Sequence, residues 1–170
     1  MRKYLMPDLI LPTYRDVTPD LCRSLGIRAI LSDIDNTLAP YEQPQSDEHI
    51  RTWLRELNEA GICVALISNN HADRVELFNA DLGLIAYPDA GKPFGKYLRR
   101  AMAELGSDPS NTAMLGDQLL TDALAGHLLR LKVLVVPPIR DKRTAFVRFK
   151  RRLERPVIRR YYKKHGGDVK

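Results

Sequence analysis

From residue 28 onward the chain alternates short apolar runs with segments of helical periodicity, and this alternation narrows the fold more than any other feature. "RAILSD" (28–33), "ICVALIS" (62–68), "LGLIAY" (82–87), "NTAMLGD" (111–117) and "KVLVVPP" (132–138) read as strands. Residues 46–61, 72–81, 93–106 and 119–129 read as helices between them. In the first helix Ile50, Trp53, Leu54 and Leu57 recur at helical spacing, Ser46 can cap the start and Gly61 can end it. In the third, Phe94, Tyr97, Leu98, Met102 and Leu105 are expected on one face. Apolar runs without strict alternation imply strands covered on both faces. Strands alternating with helices imply an α/β fold with a doubly wound parallel sheet. Chemistry on such a sheet collects at the carboxyl ends of the strands.

The polar residues that punctuate the chain fall at those ends. Asp33 and Asp35 follow the first strand, Ser68, Asn69 and Asn70 the second, Lys92 the third, and Gly116, Asp117 and Asp122 the fourth. A parallel sheet brings them to one edge, as four carboxylates, a lysine and a hydroxyl. Four carboxylates cannot all ionise in one place without a cation. Oxygen donors without His or Cys select a hard metal, of which Mg²⁺ is the usual one, and Mg²⁺ often completes its shell with substrate phosphate. Ser68 and Lys92 can hold phosphate oxygens. In composition this is a phosphoryl-transfer site. Lys96 competes with Lys92 for the lysine's place, and His49, His71, His127 and His165 lack ligand spacing and are expected to be structural.

"DIDNTL", "SNN", "GKP" and "GDQLLTD", in that order, resemble the four motifs of the haloacid dehalogenase-like (HAD) phosphohydrolase superfamily. The resemblance covers roughly residues 28–137, and the short chain is similar to the capless, subclass III YqeG family, related to mitochondrial phosphatidylglycerophosphate phosphatases. It implies a Rossmann-like domain, expected over residues 1–138 with an N-terminal lead-in; the charge and pattern of residues 139–170 read as a separate basic, helical C-terminal segment. It assigns Asp33 as the nucleophile that becomes an aspartyl phosphate and Asp35 as the general acid and base. It places Mg²⁺ on Asp33, the backbone carbonyl of Asp35 and Asp117, with Asp122 supporting the metal through water or by positioning Lys92. Ser68, Asn69 and Lys92 would bind the phosphoryl group, and Asn36 and Thr37 would shape the turn.

The spacing also bears on the substrate. Twenty-nine residues separate Leu38 from Ser68, and 21 separate Asn70 from Lys92. Neither interval holds a cap, since an independent domain needs on the order of 40 residues or more. An open site suits a phosphate on something large, such as a lipid headgroup. The alternatives are a soluble sugar or nucleotide phosphate with a neighbouring subunit as lid, or an RNA- or ribosome-binding role for the basic segment. Residues 140–170 carry 13 Lys or Arg against 3 Asp or Glu, whereas the rest of the chain is mildly acidic. "TAFVRFKRRLERPVIRRYYKKH" (144–165) interleaves basic and apolar residues, with Phe146, Phe149 and Leu153 on one helical face and Pro156 expected to interrupt the helix. Such a segment suits an anionic membrane surface, and nucleic acid would be drawn by the same charges. Cys22 and Cys63 form no disulfide or zinc pattern, Cys63 is expected to be a small buried hydrophobe, and the N-terminal apolar patch is broken by Pro7 and Asp8. These features point to a cytoplasmic protein, peripheral at the inner face of the membrane if the basic segment binds lipid.

Overall fold

A computed structural model describes residues 5–140 and 145–166, with the side chains of 145–151 outside the description. The elements run β1 (Leu9–Ile10), a 3₁₀ turn (Tyr14–Asp16), α1 (Pro19–Leu25), β2 (Ala29–Ser32), α2 (Glu48–Glu59), β3 (Cys63–Ile67), α3 (Ala72–Asn79) and β4 (Ile85–Tyr87). They continue as α4 (Lys96–Glu104), β5 (Thr112–Gly116), a π-helical turn (Leu119–Ala123) leading into α5 (Leu124–Leu128), β6 (Lys132–Val135) and α6 (Ala145–His165). The six strands form one parallel sheet in the order β1-β6-β5-β2-β3-β4.

Helices cover both faces, as the unalternating apolar strands require. Ile30 faces a core with Trp53, Leu57, Phe78 and Leu115, and its neighbour Leu31 faces a second core with Leu98, Met102 and Met114. Leu31 lies level with Ala65 on β3 and Met114 on β5, so β2 is the central strand. The chain leaves β2 toward β3 on one side and later returns through β5 on the other. The carboxyl end of β2 is therefore the switch point in strand order, and Asp33 follows it directly.

Several expectations are corrected. α2 is capped by Asp47, whose Oδ1 accepts from Ile50 N at 2.9 Å, while Ser46 is buried beside Arg51. Cys63 is exposed, because it opens β3 at the sheet's amino edge before the helices cover the strand. α4 begins only at Lys96: Phe94 N donates to Gly91 O, the chain turns there, and the Phe94 ring stands 77% exposed instead of joining the helix's apolar face. Pro156 does not interrupt α6. A helical proline deprives the carbonyl four residues earlier of its donor, but Pro156 and Arg152 both face solvent, where water can serve that carbonyl. Phe146 and Phe149 lie outside the described side chains.

The lead-in to the first motif is itself structured. Thr18 caps α1 by accepting from Leu21 N at 3.2 Å, Pro19 starts it, and Gly26 ends it in the left-handed region at φ 69°. β1 extends the sheet beside β6. α6 packs against this edge: Tyr161 Oη accepts from Ile10 N at 3.1 Å, and Val157 is buried among Leu5, Leu119 and Val133. Glu154 is 1% exposed, and its Oε1 accepts from Leu119 N at 2.9 Å and Leu120 N at 3.3 Å. A carboxylate carried by α6 thus holds the first amides of the turn that begins two residues after Asp117. Among the described residues no helix is long and apolar enough to cross a membrane.

Candidate active site

The loop after β2 folds back on itself. Thr37 N, Leu38 N and Ala39 N all donate to Ile34 O, and Asn36 takes up a positive φ of 64°. Asn is among the residues that tolerate this conformation. Asn36 also anchors the segment after β6, since Ile139 N donates to its carbonyl at 3.1 Å and Arg140 N to its Oδ1 at 3.3 Å.

This hairpin sets Asp33 and Asp35 in different surroundings. Asp33 is buried, with Oδ1 2.7 Å from Lys92 Nζ and Oδ2 3.4 Å from the Thr37 hydroxyl, which donates to it. Lys92 is also buried, and its Nζ lies 2.7 Å from Asp122 Oδ1 as well. Asp117 and Asp122 are each 2% exposed, and carboxylate oxygens of Asp33, Asp117 and Asp122 lie within 4.8 Å of one another. The side chain of Asp35 is held by a different set of partners. Asn70 Nδ2 donates to its Oδ2 at 3.0 Å, and Arg74 approaches its Oδ1 through Nε at 3.2 Å and Nη2 at 3.1 Å.

The segment "SNN" frames the lysine. Ser68 is buried, and its hydroxyl accepts from Asn70 N at 3.0 Å. Asn69 clamps the backbone of Lys92 from both sides: Lys92 N donates to its Oδ1 at 2.8 Å, and its Nδ2 donates to Lys92 O at 3.1 Å. Lys92, not Lys96, therefore occupies the site, and Lys96 is exposed over the Tyr97 ring. The histidines have no place in the cluster. His127 Nε2 donates to Met6 O at 2.7 Å, and His71 stands 2.8 Å from Asp89.

Three buried carboxylates are grouped here, and one buried ammonium, Lys92, contacts two of them, Asp33 and Asp122. Burial is the main force raising the Asp33 carboxyl; Lys92 opposes it, Asp122 and Asp35 add to it, and the group is pushed up to about 7. Burial alone would lower the Lys92 ammonium, but Asp122 and Asp33 outweigh it and hold Lys92 above its ordinary value, so the lysine stays charged. The surplus negative charge and the oxygen-only donor set fit a hard divalent cation on Asp33, Asp117 and Asp122.

Gly116 is essential to this packing. A Cβ added there would stand 2.3 Å from Asp122 Cγ. Gly116→Ala is expected to push Asp122 off Lys92 and reduce turnover about 10²-fold, the cost of a misplacement of about 1 Å. Circular dichroism should stay unchanged, and wild-type turnover in the variant would show that the position of Asp122 is immaterial.

The pattern made Asp33, Asp117, Asp122 and Lys92 candidates, and the fold brings them together. It gave no notice of Arg74, Asn70 as a partner of Asp35, or Glu154. The spacing of Arg74, four residues after Asn70 on a predicted helix, was the available signal.

Dense buried acid beside one charged lysine suits chemistry on phosphate esters, and comparison with known proteins places the chain in a class that does such chemistry. It belongs to the haloacid dehalogenase-like hydrolases, whose family profile matches residues 20–129. It is 32% identical over 158 residues to the probable phosphatase YqeG of Bacillus subtilis, a match spanning 93% of this chain and 92% of that one. It is thus a phosphatase of the HAD superfamily. Among solved structures, the cobalt-bound deoxy-D-mannose-octulosonate 8-phosphate phosphatase of Haemophilus influenzae superposes with a TM-score of 0.54 at 15% identity, over 85% of this chain and 94% of that one. A putative 3-deoxy-D-manno-octulosonate 8-phosphate phosphatase of Vibrio cholerae does so with a TM-score of 0.54 at 19% identity, over 89% and 93%. At these identities the likeness shows the shared fold.

Proposed function

We propose that this phosphatase is a Mg²⁺-dependent phosphomonoester hydrolase that works through an aspartyl phosphate on Asp33 and acts on a phospholipid headgroup, phosphatidylglycerophosphate above all. The observation that carries the chemistry is the buried cluster of Asp33, Asp117 and Asp122 around Lys92. Asp33 attacks phosphorus, and the bond from phosphorus to the ester oxygen breaks. Asp35 gives the leaving oxygen its proton. Asp35 then takes a proton from the water that attacks the acyl phosphate, which frees Asp33 and inorganic phosphate. Lys92 and Ser68 hold phosphoryl oxygens, and Asn69 serves by fixing the Lys92 backbone. Bound to Asp33, Asp117 and the Asp35 carbonyl, with Asp122 in support, Mg²⁺ would supply positive charge against the carboxylates and the phosphoryl oxygens. The lipid reading is supported by the absence of any cap between β2 and β3, where α2 is the one α-helix, and by the basic α6 beside the site.

Phosphate release from phosphatidylglycerophosphate in mixed micelles, a sugar phosphate, a nucleoside monophosphate and an aryl phosphate tests this directly. The lipid is expected to turn over fastest, and a chelator to stop every reaction. Turnover that survives chelation would remove the metal, and preference for the sugar phosphate would remove the lipid. Cation binding should also depend on pH. As pH falls through about 7, Asp33 takes up a proton and becomes a poorer ligand. Mg²⁺ affinity measured by calorimetry should therefore be weaker at about pH 6 than at about pH 8, with proton release on binding. Equal affinity at both would place Asp33 outside the metal site.

A further inference from the structure

Six large apolar side chains stand exposed among the described residues: Tyr41, Leu77, Phe94, Leu128, Ile139 and Leu153. Scattered singly, such residues mean little. Their placement is what matters, because four of the six share the carboxyl edge of the sheet. Tyr41 lies on the connection from β2 to α2, Phe94 on that from β4 to α4, and Ile139 in the segment that leaves β6. Leu153 adjoins Glu154, whose carboxylate holds the turn after Asp117. Phe94 follows β4 and Ile139 follows β6, and these strands lie on opposite sides of β2, which Asp33 follows.

The α6 side of this edge is basic, while Glu42 and Asp89 stand as exposed acids on the connections after β2 and β4. Arg140 follows Ile139 and, among the described residues, pairs with Glu42 at 4.0 Å. Arg152 and Arg155 flank Leu153, and Arg159, Arg160, Lys163 and Lys164 continue along the exposed side of α6. The sole acid in residues 152–166 is Glu154, which is buried and turned inward.

We propose that this rim is an interfacial docking surface for an anionic lipid bilayer. Phe94, Ile139 and Leu153 enter the boundary between headgroups and acyl chains, and the solvent face of α6 lies on the headgroups. The inference rests on the reading of the site as one that acts on a membrane-borne phosphate ester, and it explains how an uncapped site meets that ester. Nucleic acid would use the cations and could stack a base on Phe94, but would leave the aliphatic Ile139 and Leu153 without a role. A second copy docked through the same face would set one cationic helix against the other.

The test is co-sedimentation of the full chain with vesicles of phosphatidylcholine alone or mixed with phosphatidylglycerol, alongside turnover of a soluble aryl phosphate. Wild type is expected on the mixed vesicles only, and less as salt is raised. Phe94→Ser with Ile139→Ser should lower that partition by about tenfold or more, from the apolar area no longer buried. Arg152→Glu with Arg159→Glu should lower it at least as far. Aryl phosphate turnover should stay at the wild-type level in both double variants. Equal retention on neutral vesicles, unchanged partition of the Phe94 and Ile139 variant, or RNA retention without vesicle binding would overturn the proposal. So would a dimer in solution that the apolar double variant dissolves. A wild-type chain that binds vesicles yet leaves the aryl phosphate intact would instead overturn the phosphatase chemistry, so the two failures are distinguishable.

Discussion

Asp33→Asn is expected to abolish phosphate release while leaving the fold intact. The amide keeps the size of the carboxylate, and its oxygen can still accept from Lys92, now 2.7 Å from Asp33 Oδ1. It cannot form the acyl phosphate, and loss of a nucleophile costs on the order of 10⁴-fold or more. A collapsed site would lose activity too, so stability is the second readout, and the sign of its change is informative. Asp33 has its carboxyl raised from 3.8 to about 7 on folding. Between those values the folded chain holds a proton that the unfolded chain has released, so this group's contribution to stability is fully present below the lower value and is lost as pH rises through the upper one. Above about 7 the metal-free protein carries the whole cost, and the amide carries none of it. With chelator present at about pH 8, the variant should melt at or above the wild-type temperature. A variant that melts lower would mean that Asp33 stabilises the fold through Lys92 more than Asp122 and burial destabilise it. Residual turnover that still needs the metal would move the nucleophile elsewhere.

The sheet and the acids of the site were legible for one reason. Strands buried on both faces are written as unbroken apolar runs, and a parallel sheet sends the residue after each run to the same edge. Asp33 and Asp117 needed no further information. Asp122 is harder, because it sits in a helical pattern; its inward turn depends on Gly116, which leaves room for the carboxylate. The partners of Asp35 were not legible. Asn70 and Arg74 lie 35 and 39 residues away, and only the packing of α3 beside the β2 loop brings them there. Glu154 was hidden by its neighbours: an acid inside a basic run reads as surface, whereas its carboxylate caps an element 35 residues earlier. Phe94 and Pro156 depart from the helical pattern because distant contacts decide them: Asn69 fixes the Lys92 backbone and the chain turns at Phe94 before α4, and α6 presents Pro156 to water. The two-residue β1 is too short to give a pattern and exists because β6 offers it an edge.

Asp35→Asn should separate proton transfer from nucleophilic attack. The substitution preserves volume and can still meet Asn70 and Arg74, so the Asp33 cluster should keep its geometry. General acid–base help is worth about 10²–10⁴-fold, and turnover of an alkyl phosphate, whose leaving oxygen needs a proton, should fall by that factor. An aryl phosphate with a good leaving group needs less help in the first step, so phosphoryl transfer to Asp33 should proceed nearly as before. The second step does not change with the leaving group, because both substrates yield the same acyl phosphate and the attacking water still lacks its base. The variant should therefore release one equivalent of phenol in a burst and then stall, with the phosphoryl group trapped on Asp33. Rapid acid quench followed by intact-mass measurement reads that adduct directly. With Asp33→Asn added, both burst and adduct should vanish. Equal loss for alkyl and aryl substrates, with no burst and no adduct, would make Asp35 a structural partner of Arg74 and leave the proton to another group.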